Sequence, residues 1–201
     1  MAFTQRSEAT RTAILEAARR LLASKGYEAT TIRAVATEAG IDASMVMRYY
    51  GSKAGLFSAA IDLDLRLSDA ATDSSLDELG AKLAQHFIAR WEGWRSDTQS
   101  DEVILLLLRS ASTNPIAAEQ MRTIFQAQVL RVIGDALGNG PDTTRRAAMV
   151  ATQVLGVALC RYVLELPPLV ALSGPELVAM LTPVLQHYLT GNLDESLATS
   201  S

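Results

Sequence analysis

The chain has 201 residues, 49% apolar and 20% charged, which allows a sizeable core and excludes disorder except at the ends. Its single cysteine, Cys160, excludes a disulfide framework or a zinc site built on cysteine spacing. No apolar run reaches the roughly 18 residues of a membrane span, and MAFTQRSEATR is no apolar signal segment, so the expectation is a cytoplasmic protein without a membrane partner. The net charge of −4 is uneven: residues 1–57 hold eight Lys/Arg against five Asp/Glu (+3), and the remainder ten against seventeen (−7). A mildly basic head on an acidic body suits a chain whose head alone meets phosphate. Ala and Leu are abundant and aromatics few, which points to an all-α protein.

Residues 1–7 are expected to form a frayed arm. The first helix is predicted over Glu8–Ser24, where Ala13, Ile14, Ala17, Ala18, Leu21 and Leu22 recur at spacings of three and four as one buried stripe. Lys25-Gly26 closes it, glycine standing where a left-handed residue ends a helix. Thr30 or Thr31 caps a second short helix with Ile32, Val35, Ala36 and Ala39 on its inner face. Gly40 permits a sharp turn and Ile41 fills the angle. Asp42 caps a third short helix, in which Val46 faces inward and Met45, Met47, Arg48 and Tyr49 are left outward or sideways. Gly51 ends it. Ser52 caps a fourth helix, predicted to run through Leu56, Phe57, Ala60, Ile61 and Leu65 to Leu67.

Ser68–Ser75 is a polar connection. A fifth helix is predicted over Leu76–Arg95, a loop over Ser96–Ser100 and a strongly apolar sixth helix over Asp101–Ser112. Asn114-Pro115 opens a seventh helix to Leu137. Asp142 or Thr143 opens an eighth, ending near Leu164 before Pro167-Pro168. Ser173 and Glu176 form a capping box for a ninth, reaching about Leu189, which Pro183 is expected to kink or divide. The domain reading is a head over 1–51, a body over 52–190 and a tail over 191–201 expected to be disordered.

The stretch Thr30–Phe57 has the shape of a DNA-reading helix-turn-helix: two short helices, a glycine turn, and a second helix offered to the major groove. The same shape occurs in helical proteins that never meet DNA. Here the third helix has a thin core face, and its outer residues are not the usual Glu and Lys of a solvated face. The helix starts at Thr30-Thr31 and Ser52-Lys53 can present N–H groups to phosphate. Arg33 could add a phosphate or base-edge contact, or be an ordinary solvated charge. Arg48 could read guanine or bind phosphate.

The first 57 residues resemble the DNA-binding head of the TetR (tetracycline-repressor-like) family of bacterial transcription regulators. The resemblance rests on Gly26-Tyr27, Thr30-Thr31, Ile32 with Ala36, Gly40-Ile41, Tyr49-Tyr50, and Ser52-Lys53 before Leu56-Phe57. Arg109–Ala111, GVALCRYVLELPPL and LTPVLQHYL resemble, more weakly, a regulatory domain of that family. The resemblance implies a nine-helix regulator with a three-helix head. It implies a homodimer on a palindromic operator in double-stranded DNA, usually a repressor, with a small-molecule effector that moves the fourth helix and spreads the heads. It assigns phosphate contact to Thr31, Tyr49 and Lys53, and the groove to Ala43, Ser44, Met45, Met47 and Arg48. Family members commonly have Tyr where Met47 stands, and a basic or polar residue near Ala43. Those two offer apolar contact and no bidentate hydrogen bond.

Small and large apolar residues on the last two helices suit either a dimer face or the monomer core, and the resemblance favours the dimer. The candidates are Ala151, Leu155, Ala158 and Leu159 on one helix and Leu177, Met180, Leu181, Val184, Leu185 and Tyr188 on the other. The effector pocket is implied by the resemblance alone, with Phe87, Trp91, Trp94, Arg109, Met121, Phe125 and Gln126 as candidate lining, a set that suits a hydrophobic molecule. A buried Arg109 would need an anionic partner. His86 and His187 lie far apart with no ligand-spaced partner, and no phosphate loop, nucleophile motif or paired acids stand out. No metal, cofactor or catalytic residue is therefore expected. The reading is a ligand-responsive DNA-binding transcription regulator. Its alternative is a helical small-molecule binding or scaffolding protein whose head does not bind DNA.

Overall fold

A computed structural model describes residues 2–68, 75–94 and 102–193. The predicted loop Ser96–Ser100, most of the Ser68–Ser75 connection and the tail beyond Leu193 lie outside the described residues. Among those described, every regular element is helical. In chain order they are α1 (Ala2–Ala29), α2 (Ile32–Ala39), α3 (Ala43–Tyr50), α4 (Lys53–Ala60), α5 (Leu79–Trp94), α6 (Glu102–Ser110), α7 (Pro115–Ile124), α8 (Arg131–Leu137), α9 (Pro141–Ala158), α10 (Pro167–Val170) and α11 (Gly174–Thr190). Two π-helical runs, Phe125–Leu130 and Leu159–Val163, sit at the ends of α7 and α9.

The chain packs as two compact units, Met1–Leu63 with Gln99–Arg122, and Asp64–Thr98 with Thr123–Ser201. In the first, α1 buries Ile14, Ala17, Ala18, Leu21 and Leu22 against α2, α4 and α6. Phe57 of α4 is fully buried, and its ring lies 4.7 Å from that of Tyr27. Burying one such side chain contributes about 1.5–3 kcal/mol. In the second unit, α11 lies along α5 and α9, with Leu177, Leu181, Leu185 and Leu189 inward at helical spacing.

Several boundaries differ from the sequence reading. Helix α1 already includes residues 2–7, and it bends at Gly26, whose φ of 75° and ψ of 175° are non-helical, before one more turn to Ala29. Helix α4 stops at Ala60 rather than Leu67. Beyond it Ile61, Leu63, Leu65 and Leu67 are buried while Asp62, Asp64, Arg66 and Ser68 are exposed. That alternation has a period of two, which one face of a helix cannot satisfy. The backbone of Leu65 is held by side chains: its N–H donates to Gln128 Oε1 at 2.7 Å, and its carbonyl accepts from His86 Nε2 at 2.7 Å. His86 is thus a structural clip on the segment after α4. Helix α9 begins at Pro141, ahead of Asp142 or Thr143, because proline fits the first helical position. Helix α11 carries the expected capping box and runs undivided through Pro183.

Candidate nucleic-acid interface

The α2–α3 pair is set by caps. Thr31 is the N-cap of α2, its hydroxyl accepting from Ala34 N–H at 3.1 Å. Thr30 is buried, and its hydroxyl donates to Gly26 O at 2.8 Å. Gly40 closes α2 in the left-handed conformation (φ 68°, ψ 33°), which glycine reaches without a Cβ penalty. Asp42 caps α3 by accepting from Ser44 N–H at 2.7 Å, and hydrogen bonds from Ser44 hold its carboxyl below the usual range.

On α3 only Val46 is buried. Ser44, Met47 and Arg48 are exposed, Met47 at 44%, while Ala43, Met45 and Tyr49 are half-buried. The α3–α4 joint is tight: Ser52 N–H donates to Tyr50 O at 2.8 Å, the Ser52 hydroxyl accepts from Gly55 N–H at 2.9 Å, and a Cβ on Gly55 would collide with the Tyr50 carbonyl oxygen. This joint presents Lys53, whose Nζ donates to Glu28 O at 3.0 Å and lies 4.4 Å from the Tyr27 ring centroid.

Charge pairing divides the arginines of the first unit. Arg20 is bound to Glu38 and Arg122 to Glu119, whereas Arg33, Arg48 and Arg11 meet no carboxylate among the described residues. The Arg11 and Arg48 guanidinium carbons lie 5.1 Å and 5.8 Å from the Tyr49 ring centroid. Arg11 and Arg48 thus flank Tyr49 as cations without a described acid, an arrangement that attracts polyanions.

The residues predicted for the body separate. Phe87 and Trp91 are buried together, with ring centroids 5.7 Å apart, and Tyr162 extends the row 5.7 Å from Trp91. The Trp94 side chain lies outside the described residues. Phe125 is half-buried and Gln126 exposed in the π-helical run; Arg109 and a half-buried Met121 belong to the first unit. Arg109 is exposed, so it needs no buried anionic partner; it borders a cleft of about 260 Å³ with Tyr27, Glu28, Ser110 and Asn114. Among the predicted pocket residues whose side chains are described, none lines the groove of about 670 Å³ formed by α5 and the start of α11, between Ile88, Glu92, Gly174 and Val178. Of the dimer candidates, Ala158, Leu177, Leu181 and Leu185 are buried in the chain's own core. Leu159, Met180 and Val184 are exposed, and Ala151, Leu155 and Tyr188 half-buried.

The sequence profile described as "Bacterial regulatory proteins, tetR family" matches residues 14–60, and the one described as "Tetracyclin repressor-like, C-terminal domain" matches residues 77–189, by itself over half of the chain. The chain belongs to the TetR family. It is a DNA-binding transcription regulator of the ligand-responsive kind, of a family that acts on operator DNA as dimers. The TetR-family head so identified covers α2, α3 and α4 and most of α1.

This TetR-family chain is similar to the HTH-type transcriptional regulator AlkX of Mycobacterium tuberculosis, at 27% identity over 166 residues, 79% of this chain and 76% of the relative. It is also similar to a TetR-family regulator from Streptomyces coelicolor A3, at 30% identity with a TM-score of 0.59, over 90% of this chain and 95% of that one. A likeness of fold joins it to AibR, solved with isovaleryl coenzyme A and operator DNA, at 21% identity with a TM-score of 0.59, over 88% of this chain and 97% of that one. TetR-family members are regulators and not enzymes. No helix among the described residues is long and apolar enough to cross a membrane. The sequence reading of this TetR-family head gave no place to Arg11, which lies beside Tyr49, or to Gly55, which lets α4 approach the Tyr50 carbonyl.

Proposed function

We propose that α2 and α3 dock on operator DNA with Thr31, Tyr49 and Lys53 on phosphates, Arg33 at the flank, and Ala43, Ser44, Met45, Met47 and Arg48 toward the major groove. The observation that carries this is the outer face of α3: one residue of the helix is buried, the rest are exposed or half-buried, and Arg11 and Arg48 at its end meet no described carboxylate. Ala43 and Met47 suit thymine methyls and not a bidentate base contact. Docking on the cell's own DNA places the protein in the cytoplasm.

The regulatory reading is a repressor, one that leaves a palindromic operator when a small apolar molecule occupies the body. The buried Phe87–Trp91–Tyr162 row supports an apolar and aromatic site, as does the fold shared with a regulator solved with an acyl-coenzyme A. Homodimerisation falls to the exposed apolar face of α11 with the end of α9, where Met180, Val184 and Leu159 stand outward and Ala151, Leu155 and Tyr188 flank them. The deciding experiment is a gel shift of the chain on the intergenic DNA beside its own gene. Salt-sensitive binding to a discrete segment supports the reading; none at any salt would sink it.

A further inference from the structure

We propose that the turn of α1 from Ser7 to Arg11 is part of the DNA interface, and that Arg11 binds a backbone phosphate next to the one held by Tyr49. This rests on the DNA-binding reading and adds to it a residue outside the helix-turn-helix.

Three contacts place α1 against the end of α3. The Ser7 hydroxyl is 3.3 Å from the Tyr49 hydroxyl. One helical turn later, the Arg11 guanidinium carbon lies 5.1 Å from the Tyr49 ring centroid. The Tyr50 hydroxyl donates to the Arg11 carbonyl at 3.4 Å. Ser7 and Arg11, four apart, share one helix face, and that face meets Tyr49 at both its polar end and its ring. Arg11 is exposed, and its side chain finds no acid among the described residues.

Arg48 lies 5.8 Å from the same ring centroid and is equally unpaired. Two guanidinium groups over one tyrosine repel each other, and no described anion relieves them. A phosphate oxygen is the ligand that fits: it is anionic, it accepts from planar N–H forks, and the DNA backbone supplies it in a row. The aromatic face and the fixed backbone at Arg11 hold the guanidinium in place before DNA arrives, so less freedom is lost on binding. The site reads no base.

The test uses the full-length chain and a duplex that it selects from a random-sequence pool, with Kd measured across a salt series. Arg11→Ala is expected to weaken binding at least about tenfold near 0.1 M salt, and to lower the slope of log Kd against log salt by about 0.9 for each protomer bound, about 1.8 for a dimer. Arg11→Lys keeps the slope because it keeps the charge. Arg122→Ala, which removes an exposed arginine already paired with Glu119, leaves both quantities at wild-type values. The proposal is overturned if Arg11→Ala keeps the wild-type slope, or if Arg11→Lys loses it, in chains whose circular dichroism and Tm are unchanged. Failure of the wild-type chain to select any duplex would instead overturn the DNA-binding reading itself, and this proposal with it.

Discussion

Lys53 Nζ donates to the carbonyl of Glu28 at 3.0 Å, tying the first turn of α4 to the end of α1. The same ammonium lies 4.4 Å from the Tyr27 ring centroid. The lysine is therefore held at the start of a helix, where phosphate contact is favourable, while its charge meets no acid among the described residues. Lys53→Ala is expected to weaken binding to every duplex by a similar factor and to lower the salt slope by about one for each protomer bound. Titrations on a selected operator and a scrambled duplex check this; a loss confined to the selected operator would contradict it.

Thr31 serves both the fold and the interface. As N-cap of α2 it accepts from Ala34 N–H, and Thr31→Ala is expected to cost about 1 kcal/mol. For a chain of this size that lowers Tm by about 2–4 °C. Thr31→Ser restores both Tm and DNA affinity, since it keeps the oxygen. Thermal melts and titrations of the two variants separate the hydroxyl from the methyl.

Arg48 stands in the last turn of α3, beside the Tyr49 ring. Recognition helices read bases chiefly with their first turns, so Arg48, though toward the groove, is expected to meet a flanking phosphate and not a base edge. Arg48→Ala is expected to weaken all single-base variants of a selected operator equally. A change in their rank order would make Arg48 a base reader.

Glu92 joins two elements of the second unit. Its Oε1 accepts from Arg161 Nη2 and from the Tyr162 hydroxyl, each at 2.9 Å, while a second Arg161 nitrogen donates to the Leu169 carbonyl. Burial and the hydrogen bond to Glu92 push the Tyr162 phenol up to about 12 from 10.0. A raised pKa means that the folded chain keeps a proton the unfolded chain loses. The stability this provides is whole below pH 10 and is lost as the pH rises through about 12. Urea unfolding across that window should fall less steeply for Tyr162→Phe than for the wild type. Glu92→Leu leaves Arg161, 4% exposed, without its acid, and is expected to destabilise by about 3 kcal/mol.

On α11, Leu181 is buried and Met180, its neighbour in sequence, is 62% exposed. Met180→Asp with Val184→Asp is expected to convert the dimer to folded monomers, which light scattering with circular dichroism would reveal. Leu181→Ala instead lowers Tm, through a core loss of about 2–5 kcal/mol, without changing assembly.

The caps and the inner faces of α1 to α3 were legible because local chemistry sets them: Thr31, Gly40 and Asp42 stand where the sequence places them. The end of α4 was misread because Ile61 and Leu65 also fit a helical spacing; the alternation through Leu63 and Leu67 was the stronger pattern. The dimer candidates mixed two faces of α11, since Leu177, Leu181 and Leu185 differ from Met180 and Val184 in direction and not in character. The clips on Leu65 come from His86 and Gln128, and Arg11 meets Tyr49 across 38 positions; neither pairing leaves a periodic trace.

The Trp91 indole N–H is buried without an acceptor among the described residues, in the row between Phe87 and Tyr162. An indole in such surroundings emits at short wavelength, and its emission moves to the red when an oxygen arrives at Nε1. With Trp94 replaced by Phe, Trp91 is the one indole left in the chain. The regulatory body then carries its own optical reporter, and candidate effectors can be screened by the colour of its fluorescence before any operator sequence is known.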